Sequence, residues 1–208
     1  MLTAAPAAIV APSRVQAQSA FSPDVALQEL LEGNRRFAAN QLTSFDADFK
    51  LLKEKTVEKQ EPFAAVLSCA DSRVPVELIF DQSIGHVFVT RVAGNVASSE
   101  LIASLEYGVA VLGTKLIMVL GHGNCGAVKA AMAGKAVPGQ ISTLYRYIRP
   151  AVDLAGGDLD AAIKANAKIQ AALLRDASPV VAEAVQQNQV KVVAAVYDLA
   201  SGKVGLVD

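Results

Sequence analysis

Residues 63–75 read FAAVLSCADSRVP. Five apolar residues, Phe63 to Leu67, run without alternation, and a thiol, an acid and a base follow closely as Cys69, Asp71 and Arg73. An unbroken apolar run of that length is the pattern of a strand buried on both faces, as in a parallel sheet covered by helices. Val87 to Val89, Leu116 to Leu120 and Val190 to Val196 repeat the pattern.

Helical stretches separate these runs. Ser22-Pro23-Asp24 supplies a cap, a proline at the first helical position and an acid in the first turn, ahead of an apolar face of Val25, Leu27, Leu30, Leu31 and Phe37. Residues 49–62, FKLLKEKTVEKQEP, predict a second and more charged helix that stops before Pro62. Residues 98–113 start on a serine cap and end at Gly113, with Leu101, Leu105, Val109 and Leu112 on one face; residues 158–177 and 178–189 predict two further helices. The last twelve residues, YDLASGKVGLVD, predict a strand, a Ser-Gly turn and a short antiparallel strand. Alternating strands and helices define an α/β fold with a mostly parallel central sheet, helices on both faces and an antiparallel edge strand near the C-terminus. In such a fold, ligands bind outside the carboxyl ends of the strands.

At 208 residues and 52% hydrophobic, the chain suits one domain with a well-buried core, expected over residues 21–208. Nineteen basic residues against twenty acidic ones leave no positive tract to neutralise a phosphate backbone, so nucleic acid is not an expected partner. No apolar run reaches the roughly 18–20 residues that cross a bilayer, so no membrane partner is expected either. Residues 1–20 are almost uncharged and rich in alanine, and Val15-Gln16-Ala17 fits a signal-peptidase site. They read as the latter half of an export signal, which would make the protein periplasmic or otherwise exported. A disordered Ala/Pro arm in a cytoplasmic protein has the same composition.

The chain's two cysteines are Cys69 and Cys125. The run ending at Leu67 leads into Cys69, and the run ending at Leu120 leads into GHGNCGAV with His122 and Cys125, so both sets fall at carboxyl ends of parallel strands. Cys, His and Cys are ligand types that zinc prefers, and three without a fourth protein ligand is how a catalytic zinc keeps a position open for water. His122 and Cys125 stand at a chelating spacing, and Gly121, Gly123 and Gly126 are expected to let the backbone turn tightly around a metal. A competing reading makes Cys69 a nucleophile and Arg73 an oxyanion binder. Such sites wrap their anion with a longer loop, and that reading leaves the second strand-end set unexplained.

CADSRVP followed by GHGNCGAV resembles the beta-class carbonic anhydrases, and GHVFVTRVAGN and SLEYGVAVLG between them are similar as well. The resemblance implies that Cys69, His122 and Cys125 bind zinc, and that zinc-bound hydroxide attacks carbon dioxide to give bicarbonate and a proton. It implies that Asp71 and Arg73 form the catalytic pair: Asp71 accepts a hydrogen bond from the hydroxide, and Arg73 keeps Asp71 ionised and off the metal. In some family members this aspartate swings onto zinc and shuts the enzyme off, so Asp71 is orienter or plug. Spacing alone slightly favours an ordinary strand-end salt bridge.

By the same resemblance, Gln60 hydrogen-bonds substrate and Phe88 and Tyr107 line its pocket, some of them serving a partner subunit's site. The family is an obligate homodimer that can pair again into a tetramer, and the helix from Pro23 fits its N-terminal helical arm. Val66 stands where bicarbonate-inhibited members carry tryptophan, which groups this chain with the constitutively open ones. His86 replaces a common acid and reads as a surface histidine or a proton shuttle. Two rival functions remain at this level: hydrolysis of carbon disulfide or carbonyl sulfide on the same zinc site, and a non-enzymatic zinc-stabilised module.

Overall fold

The computed structural model of the protein describes residues 20–43 and 56–207. The export reading, which rests on residues 1–20, and the first half of the helix expected over residues 49–62 lie outside them, residue 20 excepted. The described part of that second segment, residues 56–62, is bend and coil, not helix.

In chain order the elements are α1 (Pro23–Ala38), β1 (Ala64–Ser68), α2 (Val76–Ile79), β2 (Val87–Arg91), α3 (Ser99–Ala110), β3 (Leu116–His122) and α4 (Gly126–Ala133). A 3-10 turn (Ile141–Leu144), α5 (Tyr145–Leu154), α6 (Leu159–Ala177), α7 (Pro179–Gln186), β4 (Lys191–Tyr197) and β5 (Val204–Leu206) complete the chain. The strands lie in the order β2-β1-β3-β4-β5. The first four are parallel and β5 is antiparallel at the edge.

Every residue of β1 and of β3 is buried, which is why neither strand alternates. Val66, Met118 and Leu120 face Ala26 and Leu30 of α1 and Val76, Ile79 and Phe80 in and after α2. Ala65, Leu67, Ile117 and Val119 face Leu105 and Val109 of α3, Ala167 and Leu174 of α6 and Val181 of α7. Helices therefore cover both faces.

Three helices carry side-chain caps, whereas Ser98, the expected cap of α3, stands at the N-cap position without a capping bond and donates to the Glu100 carboxylate. Ser22 Oγ accepts from the Val25 amide at 3.2 Å, Asp158 caps α6, and Ser178 caps α7. Helices α4 and α5 carry no such signal in sequence. α4 spans two turns, too few for a period to show, and α5 has Pro150 inside it.

α1 is fixed to the rest of the chain by polar bonds as well as apolar contacts. Asn34 Nδ2 donates to the carbonyls of Ile79 (3.1 Å) and Gly202 (2.9 Å), while its Oδ1 accepts from the Val204 amide (2.7 Å). One turn away, Arg36 and Thr43 both bond the buried Asp81 carboxylate. Gly33 lies flush against the end of α2, where a Cβ would come 1.8 Å from the Phe80 carbonyl oxygen. Asn34→Ala orphans one buried and two part-buried backbone groups, each costing up to about 1–3 kcal/mol, part of which relaxation and water recover. The expected loss is about 2–4 kcal/mol in denaturant titration; a loss under about 1 kcal/mol would show that Asn34 does not hold α1.

Candidate metal centre

β1 and β3 are neighbours with Ser68 opposite Leu120, so the chain leaves both at one edge of the sheet. Cys69 follows β1 directly, His122 is the last residue of β3, and Cys125 is the N-cap of α4. One Sγ, one ring nitrogen and the other Sγ all lie within 4.8 Å of one another. The two cysteines pack among Val96, Val128, Ile148, Ala162 and Ile163, apolar groups drawn largely from α4, α5 and α6, and His122 is buried as well. The tight turn between His122 and Cys125 is made by Asn124 at φ 57, whereas none of Gly121, Gly123 and Gly126 takes a positive φ. This corrects the expected role of those glycines: asparagine tolerates the left-handed region, and a single such residue reverses the chain.

The histidine is set up as a donor to a metal. Its Nδ1 lies 3.0 Å from the Gly123 carbonyl oxygen. A carbonyl only accepts, so Nδ1 carries the proton and Nε2 presents its lone pair. Nε2 is buried with no protein hydrogen-bond partner. Cys69 Sγ accepts from the Gly94 amide at 3.3 Å. Hydrogen bonds from Cys125 and the Gly94 amide drive the Cys69 thiol down, whereas the neighbouring Cys69 and burial push Cys125 up. A bound cation favours the thiolate form of both sulfurs.

Beside this set, Asp71 and Arg73 form a fork-to-fork pair. Arg73 Nε donates to Asp71 Oδ1 (2.9 Å) and Nη2 to Oδ2 (2.8 Å), and the Arg73 amide also donates to Oδ1 (2.9 Å). The Arg73 guanidinium holds the Asp71 carboxyl well below the usual carboxylate range. Asp71 Oδ2 stands 3.8 Å from His122 Nε2, so the carboxylate faces the position a metal would take.

The other expected residues lie elsewhere in the subunit. Gln60 is exposed and precedes β1, whereas Cys69 follows it, a separation of about 17 Å for a five-residue strand. Phe88 pairs in register with Ala65 and packs its ring 6.3 Å from that of Tyr107. Tyr107 is 46% exposed. His86 is also at the amino edge, its Nδ1 3.2 Å from Gln82 Oε1.

Three residues without an assigned role in the sequence reading support the set. Asn166, buried in α6, donates to the Gly94 carbonyl at 2.8 Å and so steadies the amide that bonds Cys69. A Cβ at Gly94, φ 80, would fall 2.7 Å from Ile148 Cδ1. Arg91 bonds the backbone carbonyls of Cys69 and Asp71. Arg91 and Gly94 belong to the VTRVAGN stretch, but a side chain that grips backbone carbonyls leaves no spacing signal.

The donor set fits zinc: two sulfurs and one imidazole nitrogen, with Nε2 free and buried. At typical zinc–sulfur and zinc–nitrogen lengths a tetrahedral site separates its ligand atoms by about 3.5–4 Å, a small contraction from 4.8 Å. A parallel sheet that gathers such a set at its carboxyl edge, beside an ionised carboxylate and with no fourth protein ligand among the described residues, defines an α/β metalloenzyme. The sequence profile of the carbonic anhydrase family matches residues 64–204. The chain is 36% identical to carbonic anhydrase 2 of Mycobacterium tuberculosis over 197 residues, covering 90% of this chain and 94% of that one. The beta-carbonic anhydrase of Coccomyxa, solved in complex with acetazolamide, superposes with a TM-score of 0.69 at 31% identity, over 87% of this chain and 86% of that one. A Sordaria macrospora beta-carbonic anhydrase, one of two described as tetrameric, shares the fold with a TM-score of 0.69 at 22% identity, over 87% and 96%. The protein belongs to the beta class of the carbonic anhydrases.

Proposed function

We propose that the protein catalyses the reversible hydration of carbon dioxide to bicarbonate and a proton, with zinc held by Cys69, His122 and Cys125. The observation that carries this reading is the buried, unpartnered Nε2 of His122, within 4.8 Å of both sulfurs and 3.8 Å of an ionised carboxylate. When bound, zinc supplies the Lewis acidity that turns water into a nucleophile near neutral pH.

The chain's own residues do the rest. Asp71 Oδ2 accepts the proton-bearing side of the attacking oxygen, which turns a lone pair toward the carbon. Arg73 occupies both carboxylate oxygens and keeps Asp71 charged, so Asp71 acts as orienter, not as a metal ligand. Carbon dioxide is apolar and needs few polar contacts; Val96, Ile148 and Ile163 supply a dry wall around the ligands. A structural zinc module is less well supported, because a structural site closes its fourth position with protein.

Gln60 lies before the amino end of β1, at the edge opposite Cys69, and Phe88 of β2 and Tyr107 pack against each other. We take them as residues that a second copy contributes, in a homodimer that can pair into a tetramer. Edge strand β2, bearing Phe88, and the half-exposed Tyr107 beside it suit that contact.

Purified protein is expected to hold about one zinc per chain, to sediment as a dimer or larger, and to accelerate hydration in a stopped-flow assay. Full zinc with hydration no faster than buffer between about pH 7 and 9 overturns the reading. Turnover of carbon disulfide or carbonyl sulfide in place of carbon dioxide would overturn the substrate assignment.

A further inference from the structure

Past Ser68 the chain leaves the sheet, and the carbonyls of Cys69 and Asp71 lose their strand partners. Arg91, the last residue of β2 and the register partner of Ser68, takes both. Its Nε donates to the Cys69 carbonyl at 3.0 Å and its Nη2 to the Asp71 carbonyl at 2.6 Å. The planar guanidinium thus continues the ladder across two alternate carbonyls, a span that its fixed fork of donors suits and a single ammonium does not.

The Asp71–Arg73 pair cannot anchor itself. Its members are two residues apart on one loop, so the fork-to-fork bond fixes them to each other and not to the metal ligands. Arg91 reaches that loop from 20 and 22 residues away and ties it to the sheet. Arg73 therefore holds the carboxylate end of Asp71 while Arg91 holds its backbone.

We propose that Arg91 is a positioning residue, a clamp that fixes the Cys69–Asp71 segment and so aims the Asp71 carboxylate at the metal's open side. The functional half of the proposal rests on the carbon dioxide hydration reading; the clamp itself does not. Arg91 is exposed at the end of an edge strand, so its replacement opens no core cavity.

The experiment compares Arg91→Gln and Arg91→Lys with the parent as full-length zinc-loaded proteins. Amide exchange of residues 69–74, measured with and without metal, is expected to accelerate about tenfold or more in Arg91→Gln while core-strand peptides stay unchanged. In the zinc-loaded proteins kcat is expected to fall about 10-fold or more with zinc content near parental, a typical cost of losing a group that orients a metal site. Arg91→Lys, which reaches one carbonyl, is expected to fall between. Unchanged exchange at 69–74 overturns the clamp. Faster exchange with parental kcat overturns its positioning role, and a kcat loss that merely follows lost zinc or a lowered Tm overturns it too. If the parent itself fails to hydrate carbon dioxide, the activity reading fails while the exchange result still decides the clamp.

Discussion

Cys125→Ser protein is expected to purify folded, to carry less than about a tenth of the parent's zinc, and to hydrate carbon dioxide no faster than buffer. The thiolate is the ligand, and a serine hydroxyl does not ionise in the same pH range, so the set drops to one sulfur and one nitrogen. The local fold should survive. Cys125 is the N-cap of α4 with extended backbone and no side-chain capping bond, and serine is among the best N-cap residues. Metal analysis, stopped-flow hydration and circular dichroism on one preparation separate the outcomes. Retained zinc with retained activity would remove Cys125 from the ligand set. Because bound metal stabilises only the folded state, the variant's Tm should match that of chelator-stripped parent.

Asp71→Asn is expected to keep close to one zinc per chain and to lose about 10- to 100-fold in kcat. Asparagine matches aspartate in shape, yet it offers one acceptor oxygen and turns an NH2 toward a guanidinium that only donates. The fork-to-fork pair breaks, and with it the group that would orient the attacking oxygen. Asp71 sits well below the usual carboxylate range, so it stays charged throughout about pH 6–9, and any midpoint there belongs to another group. The variant's pH–rate curve should therefore keep its shape and be scaled down. The same depressed pKa sets the sign of the stability effect. Its contribution is present above the unfolded carboxylate pKa of about 4 and fades as pH falls through the folded value, so the variant's deficit should shrink in acid. Parental kcat would show that the pair serves only the fold.

Which features were legible in sequence follows from how far apart their causes lie. A strand covered on both faces declares itself locally, and all four apolar runs became parallel strands. Cys69, His122 and Cys125 were legible because each stands at or just beyond such a run, so topology brings them together without any pairwise signal. α4 is too short to show a period, while α5 repeats its apolar residues at helical spacing, as at Ile148 and Val152, but carries Pro150, which argues against a helix there. The turn residue was assigned to glycines because glycine is the usual left-handed residue, but Asn124 occupies that conformation. Arg91 and Asn166 act on carbonyls that are remote in sequence. Arg91 lies in the VTRVAGN stretch, but no spacing there points to the carbonyls it grips, and Asn166 has no marked neighbours at all.

Gly33 gives α1 a single seat. Sliding the helix by one turn, about 5.4 Å, would bring Glu29 or Phe37 to the place now held by a residue without a Cβ, against a carbonyl that leaves room for none. The helix is keyed like a shaft in a slotted collar: it can neither slip along its axis nor roll without leaving the subunit. Whatever touches its outer face therefore meets a surface whose height and angle are set by the sheet.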